Sequence, residues 1–326
     1  MKIAFLTNRT DKPSFRFRIS EYLPSLEKEG FKSDIFLLSK SLIKRIKTYR
    51  KLKKYDCVFL HRSLLSLPDI YLLKKHSSKL IFDFDDAIIY NDPNKTKLIS
   101  SKKKSRFKQT IKRTDIIIAG NEYLKNLVEP YTHKTCIIPT PVNTKYFTPK
   151  NDGQNKENII IGWLGSASTL IYLKDIIDVL DKLYLKYKNI ELKIVANDFI
   201  ESKNIPIIKK QWSQDDEASD LHSFDIGIMP LRNDPWSEGK CGFKLIQYLS
   251  CAVPAVCSPV GINKTIIQHD YNGLLASNKD EWIKQLSILI EDKPLREKLA
   301  HNGLKIIEDK FSIKANLPIL LKLLND

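Results

Sequence analysis

The stretch from Trp236 to Val260 most constrains what this chain can fold into. A glycine-bearing loop, a short amphipathic pattern and an apolar run follow one another there without interruption. The spacing predicts a helix that carries Lys240, Lys244 and Gln247 on one face. The segment Ala255–Cys257 is short and apolar, as a central strand of a parallel sheet would be. A loop, a helix and a buried strand in this order are typical of an α/β fold.

The predicted helix has the features of an anion-binding site at its amino end. It is expected to begin near Cys241, behind Gly239 and Gly242, where backbone N–H groups and the positive end of the helix dipole are available. Lys240 and Lys244 add two positive charges. This combination favours a phosphate or diphosphate, although a solvated helix with ordinary surface lysines has the same spacing.

The rest of the chain alternates between short apolar runs and longer helical patterns, as a doubly wound α/β protein does. The expected strands are Lys2–Leu6, Asp34–Leu38, Cys57–Leu60, Leu80–Phe82, Asp115–Ala119, Cys136–Ile138, Ile159–Leu164, Glu191–Ala196, Ile205–Ile208, Asp225–Met229 and Gly273–Ala276. The expected helices are Phe15–Glu29, Ser39–Tyr55, Ser168–Tyr187, Asn263–Gln268, Lys279–Glu291, Pro294–Lys310 and Ser312–Leu324.

The segment GKCGFKLIQYLSCAVPAVCSPVGIN starts at Gly239, and HDYNGLLA follows it from His269 to Ala276. These segments resemble the donor-site signature of the retaining, nucleotide-sugar-dependent glycosyltransferases of family 4, which are group 1 glycosyltransferases. The resemblance covers the chain from about Tyr55 to Phe311. It implies two Rossmann-like doubly wound domains that face a cleft, which is the GT-B architecture.

In that family two glutamates, separated by seven residues, stand before a segment that corresponds here to Tyr248–Pro254. The second glutamate corresponds to Gln247, whose amide oxygen can still accept hydrogen bonds from ribose hydroxyls. The first glutamate, which contacts the transferred sugar, corresponds to Gly239. Glu238 and the backbone at Gly239–Cys241 are the two alternatives for that contact.

A second glycine-bearing turn, Gly165-Ser166, follows the first predicted strand of the second half, and its backbone N–H groups can hold phosphate oxygens. Many members of the resembled family have an Arg and a Lys after this strand. No basic residue occurs here from Trp163 to Thr169. Neutralisation of the leaving diphosphate is therefore assigned to Lys240 and Lys244.

The expected site residues form three groups. Catalysis is assigned to Lys240, Lys244 and Glu238, and donor binding to Gly165, Ser166, Gly239, Cys241, Gly242, Phe243 and Gln247. The segments LHR, DFDDAI and AGNEYL of the first half resemble family segments in the same order, and ligands of doubly wound domains lie at the carboxyl ends of strands. The expected acceptor-side residues there are Arg16, Arg18, His61, Arg62, Asp86 and Asn121.

Three neighbouring carboxylates, Asp83, Asp85 and Asp86, allow a metal site as an alternative. Helix capping or loop bracing is the preferred interpretation of these residues.

Lysines and a helix dipole already supply positive charge at the donor site. No metal and no cofactor are therefore expected, and the nucleotide sugar, linked to UDP or GDP, is a substrate.

A chain of 326 residues is long enough for two domains with separate cores. The polar segment Thr144–Glu157 has no apolar periodicity and carries Pro149 and Gly153, so it predicts a linker. The expected domains are residues 1–150, on the acceptor side, and residues 151–326, which bind the nucleotide sugar. The resemblance implies that the last helix crosses back to the first domain.

The excess of positive charge belongs to the first half. Residues 1–150 contain 32 Lys and Arg against 14 Asp and Glu, whereas the remainder contains 22 against 24. Such a surface attracts anionic lipid, nucleic acid or a phosphorylated acceptor. The basic pattern Ser39–Tyr55 predicts either peripheral contact with an anionic membrane or a helix that covers the sheet. No nucleic-acid partner is expected, because the basic residues are not interleaved with stacking aromatic residues.

Five cysteines show no paired spacing, and no stretch approaches the roughly 20 apolar residues of a membrane span. We therefore expect a cytoplasmic protein, with or without peripheral attachment at the inner membrane face.

The combined expectation is an enzyme of polysaccharide biosynthesis, a glycosyltransferase that moves a sugar from a nucleotide diphosphate sugar to a glycan or lipid-linked acceptor. The resemblance implies retention of the anomeric configuration, and no metal is expected. A nucleotide-sugar epimerase or hydrolase on the same fold is an alternative, as are a catalytically silent relative and a non-enzymatic nucleic-acid-binding protein. Product analysis with and without an acceptor separates the glycosyltransferase from the epimerase.

Overall fold

The computed structural model describes residues 1–91, 99–150 and 157–326. The chain divides into two compact units. Unit 1 comprises Met1–Pro141, Glu238–Cys241 and Ile313–Asp326, and unit 2 comprises Val142–Ser237 and Gly242–Ser312. The expected domain boundary at residue 151 and the middle of the predicted linker Thr144–Glu157 lie outside the described residues.

Unit 1 is built on a six-stranded parallel sheet. Its strands are β1 (Lys2–Thr7), β2 (Lys32–Leu37), β3 (Cys57–His61), β4 (Leu80–Phe84), β5 (Ile116–Ala119) and β6 (Thr135–Ile137), in the spatial order β2-β1-β3-β4-β5-β6. Its helices up to residue 141 are α1 (Pro13–Arg18), α2 (Leu23–Lys28), α3 (Leu42–Lys51), α4 (Leu67–Lys75), α5 (Ser101–Ile111) and α6 (Glu122–Val128). Every residue of β3 and β4 is buried, as expected for central strands of a parallel sheet, and all are apolar except His61 and Asp83.

Unit 2 has a second six-stranded parallel sheet. Its strands are β7 (Ile159–Leu164), β8 (Ile190–Ala196), β9 (Ile207–Gln211), β10 (Ile226–Met229), β11 (Ala255–Cys257) and β12 (Leu274–Leu275), in the spatial order β12-β11-β10-β7-β8-β9. The helices of this part of the chain are α7 (Leu170–Lys174), α8 (Ile177–Lys186), α9 (Glu217–His222), α10 (Pro235–Glu238), α11 (Phe243–Ser250), α12 (Asn263–Ile266), α13 (Lys279–Glu291) and α14 (Lys293–Ile306). The last residue of α10, Glu238, belongs to unit 1.

The C-terminal helix α15 (Ile313–Asn325) is part of unit 1. Its Leu320 and Leu324 are buried in the same apolar cluster as Ile3 and Phe5 of β1. The amphipathic pattern of this helix therefore packs against the sheet that contains the first strand. Across the described ranges, no helix is both long and apolar enough to cross a membrane.

The strand order reverses beside the first strand of each sheet, and in doubly wound folds ligands bind at the carboxyl ends of the strands at this point. In unit 1 the reversal lies between β1 and β3, whose last residues are Thr7 and His61. In unit 2 it lies between β7 and β10, where Gly165 follows β7. Residues near these strand ends are the first candidates for function.

Candidate functional site

Helix α11 is held against the sheet of unit 2 by Tyr248. The Tyr248 ring packs on Gly227 of β10, where an added Cβ would come within 2.5 Å of the ring. The Tyr248 hydroxyl accepts a hydrogen bond from the Leu164 N–H at 3.1 Å and donates one to the Ile228 carbonyl at 3.3 Å. These contacts fix α11 beside the carboxyl end of β7.

Helix α11 begins at Phe243, two residues later than the sequence predicted. Gly242 is the N-cap residue with a φ of +66°, and a Cβ there would lie 2.3 Å from Ile266 and 2.8 Å from Ile262. Both the left-handed backbone and the close packing require glycine at this position. Gly242 therefore directly precedes the amino end of α11, where the positive end of the helix dipole lies.

Lys244 stands in the first turn of α11, and its side chain lies over the turn that follows β7. A Cβ on Gly165 would come within 2.8 Å of Lys244 Cε and within 2.5 Å of the Trp163 ring. The Lys244 ammonium lies 5.3 Å from the centre of that ring, within cation–π range. Ser166 follows Gly165, and its hydroxyl lies 3.0 Å from the Ser168 hydroxyl. The structure thus brings Lys244, Gly165 and Ser166 together.

Two sources of positive potential meet at this point of unit 2, namely the Lys244 ammonium and the amino end of α11. The predicted role of the Gly165 N–H is wrong, because this group already donates to the Val195 carbonyl at 3.0 Å. The cluster also lies where the strand order of the sheet reverses. Such an arrangement can bind a phosphate or diphosphate and can stabilise negative charge that develops during a reaction.

Two buried polar residues near α11, Glu217 and Asn263, do not follow from any motif in the sequence. The Gln247 amide nitrogen donates to Glu217 Oε1 at 2.9 Å, and both side chains are at most 3% exposed. The Asn263 amide oxygen is buried and, among the described residues, has no hydrogen-bond partner. It lies 3.6 Å from the position that a Cβ on Gly242 would take. Glu217 precedes Gln247 by 30 residues, and no spacing rule links two residues so far apart.

Lys240 lies in unit 1 and precedes α11, so the prediction that it shares a helix face with Lys244 and Gln247 is wrong. The reason is Gly242, whose left-handed backbone separates Lys240 from the helix. The Lys240 ammonium lies 3.6 Å from Asp86 Oδ1, and its carbonyl accepts a hydrogen bond from Asn121 Nδ2 at 2.9 Å.

Gly239 is buried against Ala87, where an added Cβ would come within 2.3 Å of the Ala87 methyl and 3.1 Å of its backbone nitrogen. A glutamate, which the resembled family has at this position, would therefore not fit without moving Ala87. The neighbouring Glu238 and Cys241 are half-buried. This packing admits only a residue without a side chain at position 239.

Arg62 joins two carboxylates of unit 1. Its guanidinium lies 2.9 Å from Asp85 Oδ1 and donates to Asp86 Oδ2 at 2.9 Å. Burial alone would lower the pKa of Arg62, but the charges of Asp85 and Asp86 raise it further than burial lowers it. Three predicted acceptor-side residues, Arg62, Asp86 and Asn121, thus meet around Lys240.

His61 connects the two strands at the reversal point of unit 1. Its Nδ1 lies 3.3 Å from Thr7 Oγ1, and its side chain is 3% exposed. Within the described part of the chain, His61 Nε2 has no hydrogen-bond partner. Burial, with the charges of Arg62 and Arg18, holds the pKa of His61 well below its usual value. The imidazole is therefore neutral near pH 7.

The other two predicted arginines pair within unit 1. Arg16 donates to Glu21 at 2.8 Å. Arg18 is 4% exposed, binds both carboxylate oxygens of Asp83 and donates to the Ile138 carbonyl at 2.6 Å. The Arg18 charge is thus part of a buried ion pair, and contact between either arginine and an acceptor stays a prediction.

The three neighbouring carboxylates of unit 1 all face arginines, because Asp83 binds Arg18 while Asp85 and Asp86 bind Arg62. No group of three or more His, Cys, Asp or Glu side chains in the described ranges is arranged to hold a metal ion. These carboxylates brace the arginines near the carboxyl ends of β3 and β4.

Comparisons with known proteins bear on this arrangement. Residues 147–306 match the family model for glycosyl transferases group 1. An uncharacterized glycosyltransferase of Methanocaldococcus jannaschii is 27% identical over 263 residues. That match spans 77% of this chain and 66% of the relative, slightly less than two thirds of its length. Both matches support the prediction of an enzyme, a glycosyltransferase.

Solved structures share the fold. Sucrose-phosphate synthase from Thermosynechococcus elongatus has a TM-score of 0.74 at 12% identity, over 99% of this chain and 98% of that chain. Anabaena HepE, solved with UDP and glucose, has a TM-score of 0.74 at 14% identity, over 99% of both chains. These likenesses concern the fold alone, and they confirm the predicted α/β fold of the GT-B type with two parallel sheets.

Proposed function

We propose that this chain is a glycosyltransferase that moves a sugar from a nucleotide diphosphate sugar to a glycan or lipid-linked acceptor. The observation that carries the proposal is the position of Lys244, over Gly165 and in the first turn of α11. The match to glycosyl transferases group 1 covers both residues. The donor diphosphate would bind at this cluster of unit 2, because the cluster gathers positive potential at the reversal point of the sheet.

Cleavage of a sugar–phosphate bond builds negative charge on the departing diphosphate and oxocarbenium character on the sugar. Lys244, the Ser166 N–H and the dipole of α11 would stabilise the departing diphosphate electrostatically, while Gly165, which has no Cβ, leaves room for the Lys244 side chain. Lys240, which the sequence predicts to neutralise the departing diphosphate as well, is the second candidate cation. Glu238 is the proposed contact to the transferred sugar. These groups provide positive charge themselves, so we propose a reaction that needs neither metal nor cofactor.

The stereochemistry and the donor nucleotide are further parts of the proposal. The pattern that starts at Gly239 resembles family 4, which supports retention of the anomeric configuration through front-face attack assisted by the leaving phosphate. HepE was solved with UDP, so a UDP-linked sugar is the first donor to test and a GDP-linked sugar the second. Gln247 is the proposed ribose contact, with Cys241, Gly242 and Phe243 at the start of the helix.

We assign the acceptor to unit 1. His61, Arg62, Asp86 and Asn121 lie near the carboxyl ends of its strands, with Arg16 and Arg18 as the other proposed contacts. The excess of positive charge in residues 1–150 suits an acceptor with a lipid diphosphate.

We propose that the protein is cytoplasmic and touches an anionic inner membrane face through α3. On this helix Ile43 is 70% exposed among lysines. An exposed apolar side chain among basic residues is the arrangement that interfacial helices use.

A donor screen tests the proposal. The full chain is incubated with UDP- and GDP-linked sugars, with and without a lipid-diphosphate-linked glycan acceptor, and the products are identified by NMR. We expect the free nucleoside diphosphate and a glycoside of unchanged anomeric configuration, at a rate that EDTA does not alter. A product in which an isomerised sugar is still attached to the nucleotide would instead establish an epimerase.

A further inference from the structure

We propose that Glu217 is a positioning residue for donor binding, because it orients the Gln247 side chain toward the ribose hydroxyls. The inference rests on the proposed function and concerns the same site. It starts from the buried hydrogen bond between α9 and α11, in which Gln247 Nε2 donates to Glu217 Oε1 at 2.9 Å. Gln247 is 2% and Glu217 3% exposed, so solvent competes little for this bond.

The hydrogen bond determines which way the Gln247 amide faces. An ionised carboxylate can only accept hydrogen bonds, whereas an amide has one end that donates and one that accepts. Gln247 must therefore turn its nitrogen toward Glu217 and its oxygen away from it. A glutamine without such a partner can interchange its oxygen and nitrogen at little cost, because the two ends have the same shape.

The place of Gln247 along α11 suits a ribose. Gln247 follows Lys244 by three residues, so the two side chains lie on neighbouring positions of one helix, separated by about 4.5 Å of rise. In a nucleoside diphosphate the ribose adjoins the diphosphate. If Lys244 binds the diphosphate, the ribose lies within reach of the next turn of the same helix.

The chemistry of the pair matches two vicinal hydroxyls. The 2′- and 3′-hydroxyls of ribose donate hydrogen bonds, and the Gln247 oxygen is an acceptor. The glutamate that the resembled family has at position 247 offers acceptor oxygens directly. Here the acid stands on α9 and the amide on α11, and together they present an acceptor of fixed orientation. Glu217 thus fixes the orientation of the acceptor that position 247 presents.

The test is discrimination between ribose and dideoxyribose. The full chain is titrated by calorimetry with UDP, GDP and the 2′,3′-dideoxy analogue of each. We expect the wild-type chain to bind one of the two ribonucleotides about 10-fold more tightly than its dideoxy analogue, which corresponds to one or two hydrogen bonds. In Glu217→Gln the amide at 247 can face either way, so this ratio should fall below about 3-fold. The donor KM should rise, while kcat stays within about twofold.

Two further variants separate positioning from packing. The swap Glu217→Gln/Gln247→Glu restores one acid and one amide with acceptor oxygens at 247, so it should recover the 10-fold ratio. Glu297→Gln changes an exposed glutamate of unit 2 and should leave the ratio at the wild-type value. If Glu217→Gln does not fold, the swap alone carries the test, because it must both fold and discriminate.

Different results would contradict the role of Glu217 and the proposed function. A wild-type chain that binds neither UDP nor GDP contradicts the proposed function. A folded Glu217→Gln variant that keeps the wild-type ratio, or a folded swap variant that does not recover it, overturns the role of Glu217 alone.

Discussion

Substitution of Lys244 by methionine removes one charge while it keeps an unbranched side chain over Gly165. Methionine has a helix propensity similar to that of lysine, so α11 should form as before. The ammonium lies 5.3 Å from the centre of the Trp163 ring, and loss of this cation–π contact costs about 0.5–1 kcal/mol of folding free energy. Loss of a positive group that stabilises the departing diphosphate costs about 3–4 kcal/mol of activation free energy.

The two costs predict different outcomes in two assays. Thermal unfolding of Lys244→Met should shift the melting temperature by no more than about 4 °C, given the size of each unit. Steady-state sugar transfer should lose roughly 10²- to 10³-fold in kcat. Lys284→Met is the matched control, because Lys284 is an exposed lysine on α13 of the same unit. A folded Lys244→Met variant that transfers sugar at the wild-type rate would refute the assignment of the diphosphate to this cluster.

Three further predictions concern other residues. Lys240→Ala removes the ion pair with Asp86 and should lower kcat by about 10²-fold or more, with less than about 1 kcal/mol lost in urea unfolding; an unchanged kcat would exclude Lys240 from the reaction. Gly165→Ala places a Cβ within 2.5 Å of the Trp163 ring, so it should displace Lys244 and lower turnover about 10²-fold. A crystal structure of this variant with Lys244 undisturbed would contradict that expectation. The folded-state pKa of His61 is below its unfolded value, so the unfolded chain binds the proton more readily below about pH 6.5. The free energy of unfolding should therefore fall by up to about 1.4 kcal/mol for each pH unit below that value. Equal slopes of unfolding free energy against pH in the wild type and in His61→Asn would show that His61 does not titrate in this way.

Local signals in the sequence explain the elements that could be predicted. Helix α13 occupies Lys279–Glu291, as expected, because Asn278 accepts a hydrogen bond from the Glu281 N–H at 3.0 Å. Glu281 in turn accepts hydrogen bonds from the Asn278 side-chain amide at 2.8 Å and from the Ser277 N–H at 2.7 Å. An Asn followed three residues later by a Glu therefore marks this helix start in the sequence. The apolar run at Ala255–Cys257 likewise formed strand β11.

Features that depend on distant contacts were not predictable. The start of α11 depends on the fit of Gly242 against Ile262 and Ile266, which a helical spacing rule does not contain. The helix expected over Ser168–Tyr187 is divided between α7 and α8 at Asp175 and Ile176.

Two pairings at the candidate sites were not predictable either, because the partners lie far apart in the sequence. The Gln247 amide was found from the sequence, but its partner Glu217 lies on another helix. The sequence predicted Arg18 as an acceptor-side residue near the first strand. In the structure Arg18 forms a buried ion pair with Asp83, 65 residues away.

A crystal structure of the full chain with bound UDP or GDP would show directly where the diphosphate binds. The diphosphate should lie at the amino end of α11, with its oxygens bound by the Lys244 ammonium and the Ser166 N–H. The ribose hydroxyls should contact the Gln247 oxygen. A nucleotide bound at another place, or one from which the Lys244 side chain points away, would show that this cluster is not the diphosphate site.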